Sequence, residues 1–179
     1  MELIFSIIVL LLQIFFGIIF GVASIYLSLR FFDKMTGNID EIKELKKGNI
    51  AIAIVLVSLI GGIGLILSTG INQFGNIFLN VFDNKYSFPL FLVAMVLAVV
   101  QLIVVVLISV LVIYSSIMVL DRMTGGINEL YELKRGNIAV ALEIGVVIVV
   151  ISMMMVGAIQ GIEQLPIFDP LKYTTILGL

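Results

Sequence analysis

One block occurs twice in this chain, and the second copy returns 88 residues after the first without a gap. FFDKMTGNIDEIKELKKGNIAIA (Phe31–Ala53) is matched by VLDRMTGGINELYELKRGNIAVA (Val119–Ala141). Between Asp33–Ala51 and Asp121–Ala139, 13 of 19 positions are identical. Each copy lies between two long apolar segments. The chain therefore reads as a membrane hairpin used twice.

Composition agrees. The 179 residues are 61% hydrophobic, and the mean hydropathy is +1.27. Soluble domains run near 45–50% apolar. A water-soluble fold of this size could not hide so much apolar surface. Charged residues make up 12% and are clustered, and the net charge of −2 offers no basic field for a nucleic acid. The chain has no cysteine and no histidine. Disulfides, thiolate chemistry and the commonest general base and metal ligand are thereby excluded, so no metal site and no cofactor is expected.

Four segments are long enough to cross hydrocarbon as helices: Leu3–Leu29, Ile50–Ile71, Pro89–Leu120 and Ile138–Ile162. A backbone in lipid must satisfy its own hydrogen bonds, so helix is the only reading. The expected fold class is all-α: a polytopic membrane protein with four spans, arranged as two same-topology hairpin repeats. Met1 and Glu2 lead straight into 27 uncharged residues, which is no cleavable signal peptide. The division is 1–71 for the first repeat, 72–88 for a linker, 89–162 for the second repeat and 163–179 for a tail. In the linker, Phe74, Ile77, Phe78, Val81 and Phe82 recur at helical spacing. They suggest either a short interfacial helix or a plain connection carrying apolar residues.

The duplicated block fits a helical turn-back. Thr36-Gly37 and Thr124-Gly125 interrupt the long helices. A short amphipathic helix is expected over about residues 38–47, with Ile39, Ile42 and Leu45 on one stripe. Gly48 and Gly136 suit the position just past its end. Asn49 and Asn137 suit the caps of the returning helices. Asp33 and Asp121 open the motif, each followed by a methionine (Met35, Met123). They could cap the short helix, pair with nearby bases or draw cations to a vestibule. Eight of the ten Lys/Arg lie in or beside these two blocks, so the positive-inside rule puts both in the cytoplasm and both termini outside. Two repeats of the same topology imply a pseudo-twofold axis along the membrane normal.

Polar residues inside the spans are the candidate functional ones. Glu143 is the only ionisable group there, about six residues into the fourth span, and its repeat mate is Val55. It reads as a cation or proton site, or as a structural acid tied to a neighbouring helix. Tyr26 and Tyr114 lie at matching depth as possible donors. Gln13 and Gln101 are repeat equivalents, expected to meet each other or to bind helices together. Small residues align with them: Gly17, Gly21, Ser24 and Ser28 in the first span, Ser109 and Ser116 in the third. No catalytic set is present, so an enzyme is not expected.

The pattern D-[KR]-M-T-x-x-I-[DN]-E-x-x-E-L-K-[KR]-G-N in both copies closely resembles the domain-of-unknown-function 350 family. Those are small prokaryotic membrane proteins with one or two copies of a two-helix domain. The resemblance implies an integral protein of a prokaryotic plasma membrane, supports the tandem four-helix architecture, and supplies no catalytic or ligand residues. Gly126 for Asn38, Asn128 for Asp40 and Tyr131 for Lys43 are internal departures that lower the acidity of the second loop. Beyond the lipid bilayer, a homo-oligomer is the expected partner, since four helices enclose little interior. The functional expectation is a channel or transporter for ions or small solutes. The competing one is a scaffold that docks a cytoplasmic or membrane protein on its motif loops.

Overall fold

The computed structural model describes residues 2–35, 40–84, 87–124 and 129–174. Four long helices carry the fold: α1 (Glu2–Met35), α3 (Ile50–Asn84), α4 (Phe88–Thr124) and α6 (Ile138–Glu163). Two short ones, α2 (Glu41–Lys46) and α5 (Glu129–Lys134), sit in the duplicated blocks. Two 3-10 turns, Pro166–Phe168 and Pro170–Lys172, follow α6. No strand occurs among the described residues. All four long helices are long and apolar enough to cross a membrane, over Leu3–Lys34, Ile50–Phe82, Phe88–Leu120 and Ile138–Ile162. The chain is a multi-pass membrane protein in contact with lipid. At 1.5 Å per residue the 37 residues of α4 span about 55 Å, well beyond the hydrocarbon thickness, so the helix must tilt or protrude.

The central pair is α3 and α6. In lipid no hydrophobic force drives helices together, so close packing and interhelical hydrogen bonds must do it. Ser152 packs on Gly62, and Ser58 on Gly145, in each case leaving no room for a methyl group. Both hydroxyls donate within their own helix, Ser58 Oγ to Ile54 O at 2.9 Å and Ser152 Oγ to Ile148 O at 2.7 Å. The contacting face is thus small, satisfied and free of unmet polar demand. The glycines Gly61 and Gly64, which with Ser68 align in sequence, are instead exposed on the outside of the bundle.

The core has two parts. Nearer the turns, Ala51, Ile52, Val55, Leu59 and Ile63 of α3 meet Ile144 and Ile148 of α6, with Phe32, Val112, Ile113 and Leu120 closing the sides. Towards the other end, Phe74, Ile77, Phe78 and Val81 of α3 meet Phe5 and Val9 of α1 and Leu90, Ala94, Ala98 and Leu102 of α4. Rings interlock there: Phe5 stacks on Phe82 at 4.2 Å, and Phe78 lies 5.4 Å from Phe91. Residues 72–84 of the segment read from the sequence as either a short interfacial helix or a plain connection therefore continue α3 unbroken. Its apolar stripe faces α1 and α4, which supply the packing that keeps it helical. Where the shorter α6 stops, the tail folds over this end, with Pro170 buried and Leu171 against the aromatic cluster.

α1 is peripheral. Only 6% of its most apolar window is buried, against 44% for α3 and for α4.

Candidate functional site

Each duplicated block builds the same bracket. Gly48 has φ +79° and Gly136 φ +80°, the left-handed region that ends a helix at little cost only for glycine. Asn49 Oδ1 then accepts from Ala51 N (3.1 Å) and Ile52 N (3.3 Å), capping α3. Asn137 Oδ1 does the same for Ala139 N and Val140 N on α6. The asparagine amides are held in turn by the preceding helix: Asn49 Nδ2 donates to Glu44 Oε2 at 3.2 Å, and Asn137 Nδ2 to Glu132 Oε2 at 2.8 Å. Lys47 pairs with Glu44, and Arg135 with Glu132 at 3.6 Å. The hydrogen bonds from Lys47 and Asn49 hold the Glu44 carboxyl below its ordinary range.

The two brackets lie together at one end of the molecule. Asn49 Nδ2 also donates to Leu133 O at 2.9 Å, across 84 residues of sequence. An open basin of about 380 Å³ lies between the brackets, lined by Lys47, Asn49, Lys134, Arg135 and both glycines.

The short helices differ between the copies. Asp40, and not Asp33, caps α2, accepting from Lys43 N at 2.9 Å. α2 buries none of its residues, and Ile42 and Leu45 stay 67% and 42% exposed. In α5 the mate of Leu45, Leu133, is 1% exposed. Burial first, and then the nearby Asp33 carboxyl, pushes the Glu41 carboxyl up to about 7. The repeat mate of Glu41 is Glu129, 9% exposed, beside a cavity of about 150 Å³ lined by Phe32, Leu120, Leu133 and Ile144.

The intramembrane polar residues do not converge. Gln13 and Gln101 do not pair with one another. Gln13 Nε2 donates to Ile71 O at 3.2 Å and lies over Gly75. Gln101, 1% exposed, donates to Gln73, and Gln73 Nε2 donates on to Ile159 O at 2.7 Å. This relay ties α4 to α3 to α6. The repeat relation explains the geometry: Ile159 lies 88 positions after Ile71, so both glutamines work against equivalent carbonyls, but Gln73 intervenes in the second case. Gln101 Oε1 and the hydroxyls of Ser24 and Ser28 are buried without a hydrogen-bond partner. Glu143 is exposed, on the side of α6 facing away from α3, next to Leu142 and Val146. Tyr26 and Tyr114 are 59% and 42% exposed, and no hydrogen bond among the described residues joins either to Glu143. Tyr114 instead sets its ring edge-on to Phe31 at 6.4 Å. Thr36, Gly37 and Gly125, and the side chains of Met35, Asp121, Met123 and Thr124, lie outside the described residues.

Sequence reasoning missed Gln73, Glu41 and Glu129. Gln73 fell beyond the expected end of a span. Glu41 and Glu129 looked like two more charges in a charged loop, yet they stand eight residues after Asp33 and Asp121, a repeated interval that could have drawn attention.

Among protein families, the model of Domain of Unknown Function (DUF350) matches residues 5–159 and 92–179, two overlapping stretches that together cover nearly the whole chain. No curated protein and no solved structure matches it.

Proposed function

The chain belongs to the Domain of Unknown Function (DUF350) family, and from that premise we propose that it is a channel or transporter for ions or small solutes, built from several copies of the chain in a prokaryotic plasma membrane. Both brackets face the cytoplasm in this reading, and both termini lie outside, following the basic residues beside the brackets. One observation carries the proposal. Glu143, an ionisable group within the spanning length of α6, is turned out of the protomer. A carboxylate is costly against hydrocarbon. At this position a second copy or a water-filled path between copies can solvate it, whereas the interior of the protomer is closed by packed side chains. The test is solute and ion flux in vesicles carrying the purified protein, with Glu143→Gln beside the wild type. The expected result is flux that the substitution alters in rate or selectivity. Vesicles that stay sealed with the wild type would sink the proposal.

A second reading, a scaffold, draws on the basin between the brackets. It is the weaker one, because the glycine turns and asparagine caps give a folding reason for the repeat identity that first suggested a docking surface.

A further inference from the structure

α1 and α6 flank the bundle. Among the described residues each packs on both α3 and α4, and they make no substantial contact with one another, so they stand on opposite sides. Each flank turns one charge outward near the brackets. On α1, Ser28 and Phe32 are buried, and Arg30, two residues from each and so about 200° round the helix, is exposed. On α6, Ala141 and Gly145 are buried, and Glu143 between them is exposed in the same way. The two charges share a depth. Phe32 and Ile144 line a single cavity, which puts Arg30 and Glu143 at levels within about 5 Å of one another along the bundle. Among the described residues neither side chain makes a hydrogen bond or an ion pair. An arginine near the end of a span can run its stem out to the headgroups, whereas the shorter glutamate is left against hydrocarbon.

We infer that copies of this chain join head to tail, the outer face of α1 on one copy against the outer face of α6 on the next, with Arg30 paired to Glu143 of the neighbouring copy. The inference rests on the assembly of several copies proposed above and names the contact that makes it. Charge selects this pairing of flanks. Two α6 faces brought together would set Glu143 against Glu143, and two α1 faces would set Arg30 against Arg30. Shape agrees with it. α1 runs toward the brackets and α6 away from them, so the two helices are antiparallel in the contact. With Arg30 level with Glu143, Phe15 and Leu11 lie about 22 and 28 Å further along, and Gly157 and Gly161 about 21 and 27 Å. Both large side chains are exposed, and both glycines have open space where a Cβ would stand. Bulk on one flank thus comes level with gaps on the other, which is what close helix approach in lipid requires. Because the two faces differ, each copy keeps a free one for the next, and the contact repeats until rotation closes a ring.

The chain is free of cysteine, so Tyr26→Cys on α1 and Val146→Cys on α6, exposed positions one turn from each charge, report the contact in the full chain in lipid vesicles. Copies carrying both substitutions should give, on oxidation, a ladder of disulfide-linked species beyond the dimer. Copies carrying one substitution alone should stay unlinked, and a mixture of the two single variants should stop at the dimer. Adding Arg30→Glu or Glu143→Arg to the double-cysteine chain should abolish the ladder, and adding both should restore it. Linking within either single variant overturns the inference, because it means like faces meet. Absence of a ladder from the double-cysteine chain overturns it too, as does a ladder that survives Arg30→Glu. If the charge variants fail to fold, the cysteine pair with native charges decides the matter by itself. None of these readouts measures flux. A ladder with sealed vesicles would remove the transport reading and leave the interface standing, whereas flux without a ladder would remove the interface alone.

Discussion

Asn49 and Asn137 occupy equivalent positions, yet they carry different loads. Each caps a long helix and each is held by a glutamate five residues earlier. Only Asn49 reaches the other bracket, through Leu133 O. Removing a cap of this kind costs about 1 kcal/mol, and a further buried-side hydrogen bond contributes about 1 kcal/mol net. Asn49→Ala should therefore destabilise the protein by about 2 kcal/mol and Asn137→Ala by about half of that. Equilibrium unfolding in mixed micelles would show the difference, and equal losses would mean that the contact between the brackets contributes nothing. The turn glycines and cap asparagines were legible in the sequence, because Gly followed by Asn between two helical patterns has few other uses. The roles of Glu44 and Glu132 were not. A glutamate in a charged loop carries no mark of the amide it will accept from, and the choice is made when the turn closes.

At the scale of helices, the glutamine relay is the contact that fixes α4, α3 and α6 to one another at a depth where water cannot substitute. Replacing Gln73 by Leu strands the Gln101 amide and removes the side-chain tie to the Ile159 carbonyl, and should cost about 1–2 kcal/mol. Replacing both Gln73 and Gln101 by Leu removes donor and acceptor together. The double substitution should cost less than the sum of the two single ones, with a coupling near 1 kcal/mol in a double-mutant cycle. Additive losses would show that the two side chains do not act as a unit. That Gln13 and Gln101 needed partners on other helices was legible from their type and setting. The identity of the partners was not, since hydropathy marks the end of α3 near Ile71 and the helix runs on to Asn84. No proline interrupts that stretch, and α1 and α4 bury its aromatic stripe, so packing extends the helix past the point where hydrophobicity alone would stop it.

For the whole molecule, the firmest consequence concerns sidedness. The hydrogen bond from Asn49 to Leu133 places both brackets at one end. A membrane-impermeant thiol reagent should label Lys46→Cys and Lys134→Cys from the same side of the bilayer, and labelling from opposite sides would contradict the fold. By itself the sequence determined the number of spans, their helical state and the twofold use of one hairpin with its glycine–asparagine turns. These follow from chain length against bilayer thickness, from the backbone's need for hydrogen bonds in lipid, and from local turn chemistry, none of which requires distant contacts. The tertiary structure alone decided that α3 and α6 form the centre while α1 lies at the rim, that Gln101 pairs with Gln73, that Glu143 faces outward, and that α5 is buried where α2 is not. Two blocks alike at 13 of 19 positions can differ in this way because they meet different neighbours, and within the spans lipid is as apolar as any helix face. With no hydrophobic penalty to choose among arrangements, close fit and interhelical hydrogen bonds choose instead, and those exist only once distant segments have met.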